Sequence, residues 1–212
     1  MSMRARVRAG DPDAFRELFD EHARSVYNHG FRLTGDWSVA EDVVSLTFLE
    51  AWRLRGRIDA DADGSLRPWL LGIATNVARN VRRAARRYDG ALARLPPQRS
   101  EPDFAEDLVA RLDDQERIAR VRGALAALRT PEREVVALCV FAGLDYAEAA
   151  EALDVPVGTV RSRLSRARTR LSKLIATGRL APPGVSREPP GRHGQVTADR
   201  TIAVRFAQEN AR

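Results

Sequence analysis

The stretch from Val157 to Leu174, VGTVRSRLSRARTRLSKL, holds five arginines and one lysine and no acidic residue. A guanidinium is a permanent planar cation whose donors match phosphate oxygens. Where these cations sit depends on the helical period. Val160, Leu164, Ala167 and Leu171 recur at the spacing of a helix and should face a core. Ser162, Ser165, Arg166 and Thr169 then point away from it, with Arg161 and Arg168 flanking one side of that face and Arg163 and Arg170 the other. An ordinary solvated helix would carry the same charge. The short Ser and Thr side chains between the arginines favour a face that lies close against a groove. The preceding residues supply the companion helix. Asp145 and Glu148 have capping-box spacing, Ala149, Ala150 and Leu153 give a small apolar face, and Asp154 to Gly158, with Pro156 and Gly158, makes a turn before a second helix begins near Thr159. This is a helix-turn-helix pattern with an outer face suited to DNA.

Two other stretches carry candidate binding groups. LRPWLLGIATNVARNVRRAARR has an apolar stripe of Leu66, Trp69, Leu70, Ile73, Val77 and Val81. Its second half brings Arg79, Arg82, Arg83, Arg86 and Arg87 with no acid among them, and Asn76 and Asn80 one turn apart on one flank. Amides suit base edges and arginines suit phosphates. A favourable interaction with the helix dipole accounts for one or two such arginines, not five. The segment SVAEDVVSLTFLEAWRLR opens on a capping-box pattern, Ser38 to Glu41, and buries Val43, Val44, Phe48, Ala51 and Trp52. Glu41, Asp42, Ser45 and Leu49 stand on another side, either as a solvated rim or as a surface for a basic partner; from this helix alone the two readings are equal.

No constellation for catalysis or metal binding is visible. Asp59 to Gly64, DADADG, lacks the ligand spacing and terminal glutamate of an EF-hand. His22 and His29 lie on one helix as packing or solvent-facing groups, and His193 is remote from both. Cys139, the only cysteine, reads as a buried apolar filler and precludes an internal disulfide. No cofactor, no metal site and no enzymatic activity are therefore expected.

The elements that position these groups are all helical. A helix from Asp11–Pro12 to Gly35, with Phe15, Leu18, Phe19, Val26, Gly30 and Leu33 on one side, follows a basic lead-in. A first helical domain spans 1–88, and a Pro-rich then acidic linker follows at 89–112. A second domain spans 113–178, and a breaker-rich tail, for which disorder is expected, occupies 179–212. The second domain opens with Ile118, Val121, Leu125 and Leu128 on one stripe. Thr130 then caps a nearly all-apolar helix with Pro131 at its first position. In the tail, Ile202, Val204 and Phe206 alternate as a strand would. The fold class is all-α: two small helical domains joined by a flexible linker, the second containing the helix-turn-helix. The net charge of +6 in 212 residues points to a polyanionic partner. The longest apolar run, Val135 to Leu144, is about half of what a membrane helix needs, and the basic N-terminus has no apolar signal core. A soluble cytoplasmic protein without membrane insertion is expected.

Three motifs in this order, AEDVVSLTFLEAWR, RPWLLGIATNVARNVRR and YAEAAEALDVPVGTVRSRLSRAR, closely resemble the extracytoplasmic-function (group IV) sigma factors of bacterial RNA polymerase. The resemblance covers roughly Asp11 to Leu174. It implies that Glu41, Asp42, Ser45 and Leu49 dock on the clamp coiled coil of the largest polymerase subunit. It implies that Asn76, Arg79, Asn80, Arg82 and Arg83 engage the −10 promoter element as its strands separate. Arg161, Ser162, Arg163, Ser165, Arg166 and Arg168 would read the −35 element as duplex. Promoter DNA and polymerase core are the partners it implies, with an anti-sigma factor as a further kind of partner found for many members. Where the family usually has Gln-Glu after the Asp of the second helix, this chain has Ser45-Leu46, which implies fewer polar contacts to the clamp. The alternative is a helix-turn-helix transcriptional regulator that does not act through core polymerase. It would need a β/α receiver or a sensor domain in front, and the first 88 residues carry only helical patterns.

Overall fold

The structure, a computed structural model, describes residues 1–92 and 112–177. Most of the expected linker, the tail and the alternating Ile202, Val204 and Phe206 lie outside the described residues. Within them the chain forms eight α-helices and no strand.

The first helix, α1 (Met3–Ala9), occupies what the sequence presents as a basic lead-in. Ser2 caps it by accepting from the Ala5 N–H, and Gly10 closes it at φ +80°. Seven residues are too few for a periodic pattern to show, so only the cap and Gly10 could have announced it. Arg4 ties α1 to the later loop by donating to the Asp59 carbonyl at 3.0 Å. Helix α2 (Pro12–Thr34) starts as expected, with the Asp11 carboxylate accepting from the Asp13 and Ala14 amides and Gly35 ending it at φ +78°. Helix α3 (Trp37–Leu54) begins before the Ser38 cap expected from sequence, because the Asp36 carboxylate reaches the Val39 amide at 3.0 Å. A 3-10 turn, Arg55–Arg57, and a loop lead to α4 (Arg67–Leu92).

Helices α1 to α4 enclose a first core of Val7, Leu18, Val26, Leu33, Val43, Phe48, Leu66, Leu70 and Ile73. Phe19 and Trp52, expected inside, are 44% and 37% exposed. Phe19 sits about 100° round the helix from Leu18, and both rings pack at the rim, Phe19 tilted on Phe48 and Trp52 edge-on to Phe15.

After α5 (Leu112–Ala126), helix α6 (Thr130–Val136) starts one residue earlier than Thr130 as a cap would give. Arg129 is the capping position, with its N–H donating to the Glu132 carboxylate at 3.0 Å, and Pro131 sits at the second position. The helix continues as a π-helical segment, Ala137–Phe141, until Gly143 at φ +70°. Helix α7 (Tyr146–Leu153) has the expected reciprocal capping box of Asp145 and Glu148, and Asp154 ends it in the left-handed region at φ 52°. Helix α8 (Val157–Ala176) starts directly after Pro156, two residues before Thr159. The second core gathers Leu125, Leu128, Val135, Leu138, Leu153, Val160 and Leu164. Ile118 and Val121, expected on that stripe, are each 39% exposed.

The two cores are not insulated. Leu71 of α4 belongs to the second and Ala137 to the first. At Gly72 the backbones of α4 and α7 come so close that a Cβ would lie 2.5 Å from the Ala152 carbonyl oxygen. Glycine is required there for the approach itself, not for its backbone angles.

Candidate nucleic-acid interface

Helix α8 is the second helix of the capped helix-turn-helix, and its burial follows the sequence period. Val160, Leu164 and Ala167 are buried, whereas Arg161, Ser165, Arg166, Arg168 and Thr169 are exposed. Ser162 is half-buried and turns its hydroxyl back onto the Thr159 carbonyl at 3.0 Å, and Arg166 Nη2 donates to it at 3.4 Å. Arg163 is half-buried and faces α4. Arg170 leans on the buried Glu132 carboxylate at 3.4 Å. Of the six residues expected to face the −35 duplex, Arg161, Ser165, Arg166 and Arg168 thus form one open strip, Ser162 lies beneath it, and Arg163 belongs to a different surface.

The −10 candidates divide in the same way. Asn76, Asn80 and Arg83 are exposed on α4. Arg79 is engaged: Nε and Nη2 each donate to one oxygen of Glu134 at 2.6 Å, and Nη1 donates to Asn76 Oδ1 at 3.0 Å. Hydrogen bonding to Glu134 raises the Arg79 pKa above its usual value, against the opposing effect of burial. Arg82 Nη1 donates to the Leu33 carbonyl at 3.1 Å, at the C-terminal end of α2 where a cation is favoured. Arg133 reaches the same carbonyl and also holds those of Leu125, Ala126 and Leu128. Burial, then the charges of Arg82 and Arg86, push Arg133 down to about 10, where it remains charged at neutral pH.

The acidic-rimmed face of α3 is open: Glu41, Asp42, Ser45 and Leu49 are all exposed. Ser45 turns its hydroxyl onto the Glu41 carbonyl at 3.3 Å, so it offers a neighbour less than a free polar group would. Leu46, 42% exposed, joins Leu49, Ile73, Val77, Asn76 and Asn80 around a groove between α3 and α4. The polymerase-facing and −10-facing candidates are therefore neighbours across one groove.

Sequence reasoning missed Glu134 and Arg133. Both sit in the Glu132-Arg133-Glu134 run that opens α6 directly before an apolar stretch, and charges adjoining such a stretch are the one signal that buried partners await them. Elsewhere the chemistry is quiet. His29, wholly buried, is held near 3 by burial and so stays neutral. Cys139 is half-buried, not fully buried. Among the described residues no three His, Cys, Asp or Glu side chains gather as a metal site would need.

Residues 18–88 match Sigma-70 region 2, and residues 118–171 match Sigma-70, region 4. The chain is 34% identical over 160 residues to the ECF RNA polymerase sigma factor SigL of Mycobacterium tuberculosis, covering 74% of this chain and 85% of that one. Among solved structures it is similar to CnrH in complex with the cytosolic domain of CnrY, with a TM-score of 0.61 and 27% identity over 82% of this chain and 96% of that one. It is also similar to the sigma factor RpoE in complex with the anti-sigma factor NepR from Bartonella quintana, with a TM-score of 0.58 and 25% identity over 76% and 96%. The region 2 match ends on the arginine-rich half of α4 and the region 4 match ends on α8, with the polar faces of both helices inside the matched segments. The chain belongs to the extracytoplasmic-function sigma factors of RNA polymerase.

Proposed function

We propose that this sigma factor divides its promoter between two helical segments. Residues 113–178 take the −35 duplex through Arg161, Ser165, Arg166 and Arg168, with Ser162 beneath that strip and Arg163 joining it once it leaves α4. Residues 1–88 take the −10 element through Asn76, Asn80 and Arg83, and through Arg79 and Arg82 once these exchange their internal partners for phosphates. Residues 89–112 join the two, and 179–212 lie beyond both. Glu41, Asp42, Ser45 and Leu49 form the surface for the clamp coiled coil of the polymerase core. The observation that carries this reading is the open strip on α8, four exposed residues, three of them arginines, on the second helix of a capped helix-turn-helix.

The chain catalyses no reaction in this scheme. Polymerase forms the phosphodiester bonds, and this subunit contributes promoter choice by differential binding. Holding an unstacked base would offset the few kcal/mol that unstacking costs. An anti-sigma protein is a further partner, as NepR is for RpoE of Bartonella quintana. The work is done in the cytoplasm; among the described residues no helix is long and apolar enough to cross a membrane.

Run-off transcription with core polymerase, paired with a core-binding assay, tests the division. Arg166→Ala should reduce promoter-dependent initiation about 10-fold or more, the loss of one good groove contact, and leave core binding intact. Asp42→Arg should weaken assembly with core while leaving binding of a −35 duplex by the free protein unchanged. Equal loss of both properties in either variant would refute the assignment of that face.

A further inference from the structure

A cavity of about 400 Å³ lies between α4 on one side and α6 and α8 on the other. Its walls carry Arg79, Arg82, Arg83, Arg86, Arg133 and Arg163 against the single carboxylate of Glu134. That leaves a net charge of +5 around the cavity. Arg79 is spent on Glu134, and Arg82 and Arg133 on backbone carbonyls. Arg83, Arg86 and Arg163 have no hydrogen bond or ion pair to any described residue, and they come from opposite walls.

We propose that this cavity binds a small polyphosphorylated anion, of the size of two or three linked phosphates with or without a nucleoside. Guanidinium groups bind phosphate bidentately. A single monoanion would leave most of the charge uncompensated, and Arg83 and Arg163 on facing walls call for a ligand with acceptors at both ends. The volume lies at the small end of ligand sites, which begin near 300 Å³. A cavity of about 400 Å³ has room for a few linked phosphates and not for a DNA duplex. Burial first, and then the like charges of Arg82 and Arg86, lower the Arg133 pKa while Glu134 opposes them, and an anion in the cavity would offset that like charge.

Occupancy has a consequence that rests on the promoter assignment above. Elements centred at −10 and −35 are about 25 base pairs apart, roughly 85 Å at 3.4 Å per pair. Arg83 and Arg163 line one small cavity here, so the closed arrangement cannot engage both elements at once. An anion bridging the walls would hold the chain closed and oppose promoter binding.

The binding claim is tested on the full-length protein without DNA or polymerase, by titration calorimetry with inorganic tripolyphosphate and with sodium sulfate at matched ionic strength. Saturable one-to-one binding of tripolyphosphate is expected, weakened at least 10-fold by Arg86→Ala and, separately, by Arg163→Ala. Gly72→Leu, which forces α4 off α7 without touching an arginine, should abolish it; circular dichroism confirms that the helices remain. Binding that sulfate reproduces, or that Arg163→Ala and Gly72→Leu leave unchanged, would overturn the cavity as a site. For the consequence, run-off transcription at constant free Mg²⁺ should be inhibited by tripolyphosphate, and inhibition should be relieved in Arg86→Ala relative to its own uninhibited rate. Saturable binding with no such relief would overturn the closure effect and leave the site standing.

Discussion

Glu134 offers the sharpest test of what joins the two helical segments. Its side chain is 2% exposed and accepts two hydrogen bonds of 2.6 Å from Arg79, whose side chain is 30% exposed. Removing one partner of a fully buried ion pair costs about 3–5 kcal/mol, because the other charge is stranded. Arg79 is only partly covered and would recover some hydration, so Glu134→Ala should destabilise by about 2–3 kcal/mol. Arg79→Ala strands the carboxylate instead, and that group is the more deeply buried of the two, so its cost should be at least as large. The double variant strands neither. A cycle of the two single variants and the double, measured by urea unfolding, should therefore return a coupling of about 1.5–3 kcal/mol. The pair lies between α4 of the first core and α6 of the second, so part of this coupling should appear as altered cooperativity between the cores, read as a changed m-value. Additivity within about 0.5 kcal/mol and an unchanged m-value would refute the reasoning, since that is how residues that do not touch behave.

Three further outcomes follow from the packing. His29 donates from Nε2 to Thr75 Oγ1 at 2.8 Å, since the Thr75 hydroxyl already donates to the Leu71 carbonyl, and its Nδ1 is buried without a partner. With a folded-state pKa near 3 against 6.5 unfolded, the unfolded chain binds the extra proton between those values. Stability should accordingly fall as pH drops below 6.5, by roughly 2 kcal/mol at pH 5 from this group; denaturant titrations of His29→Gln should show a shallower slope, and an identical slope would count against a neutral buried imidazole. Gly72→Ala should destabilise by about 1–3 kcal/mol despite the better helix propensity of alanine. Gly123→Ala on α5, where a Cβ meets nothing within 4 Å, should be neutral or stabilising, and thermal melts that rank the two the other way would deny the close α4–α7 approach. Finally, Arg168→Ala should reduce the slope of log affinity against log salt for a −35 duplex by about one, and an unchanged slope would place Arg168 away from the phosphates.

The helices other than α1, the caps at Asp11 and Asp145, the turn at Asp154 to Gly158 and the period of α8 were legible because each is local. Capping and periodicity involve residues within a turn or two of one another. What was not legible is what arrives from elsewhere in the chain. Five arginines in the second half of α4 announced a cationic surface, but nothing near them said that Arg79 would meet Glu134, 55 positions away, or that Arg82 would close the end of α2. By count Arg161 and Arg163 are opposite flanks of one exposed face, and only the neighbouring α4 shows that Arg163 is turned away from it. Ile118 and Val121 were placed inside on a regular stripe, which states where a residue could be buried and not whether a partner comes.

Helix α4 shows why these gaps concentrate where they do. A surface helix buries one stripe, and the expected stripe of Leu66, Leu70, Ile73 and Val77 is of that kind. In the structure all residues from Leu70 to Thr75 are buried, because α2 and α3 cover one side and α7 covers the other. Burial on all sides requires small or apolar residues all round, and LLGIAT supplies them, with Gly72 at the closest approach and Thr75 satisfied internally. The continuous run could have been read as a second buried face, whereas the amphipathic reading assigned it one. One turn further on, the same helix becomes polar on its open flank at Asn76, Asn80 and Arg83 while Arg79 and Arg82 stay turned toward α6 and α2. The packing half of α4 thus fixes how far its charged half can reach. On the promoter assignment proposed above, Arg79 would meet phosphates only after leaving Glu134 of α6 and Arg82 only after leaving the Leu33 carbonyl of α2, so DNA engagement by the first segment would loosen its hold on the second.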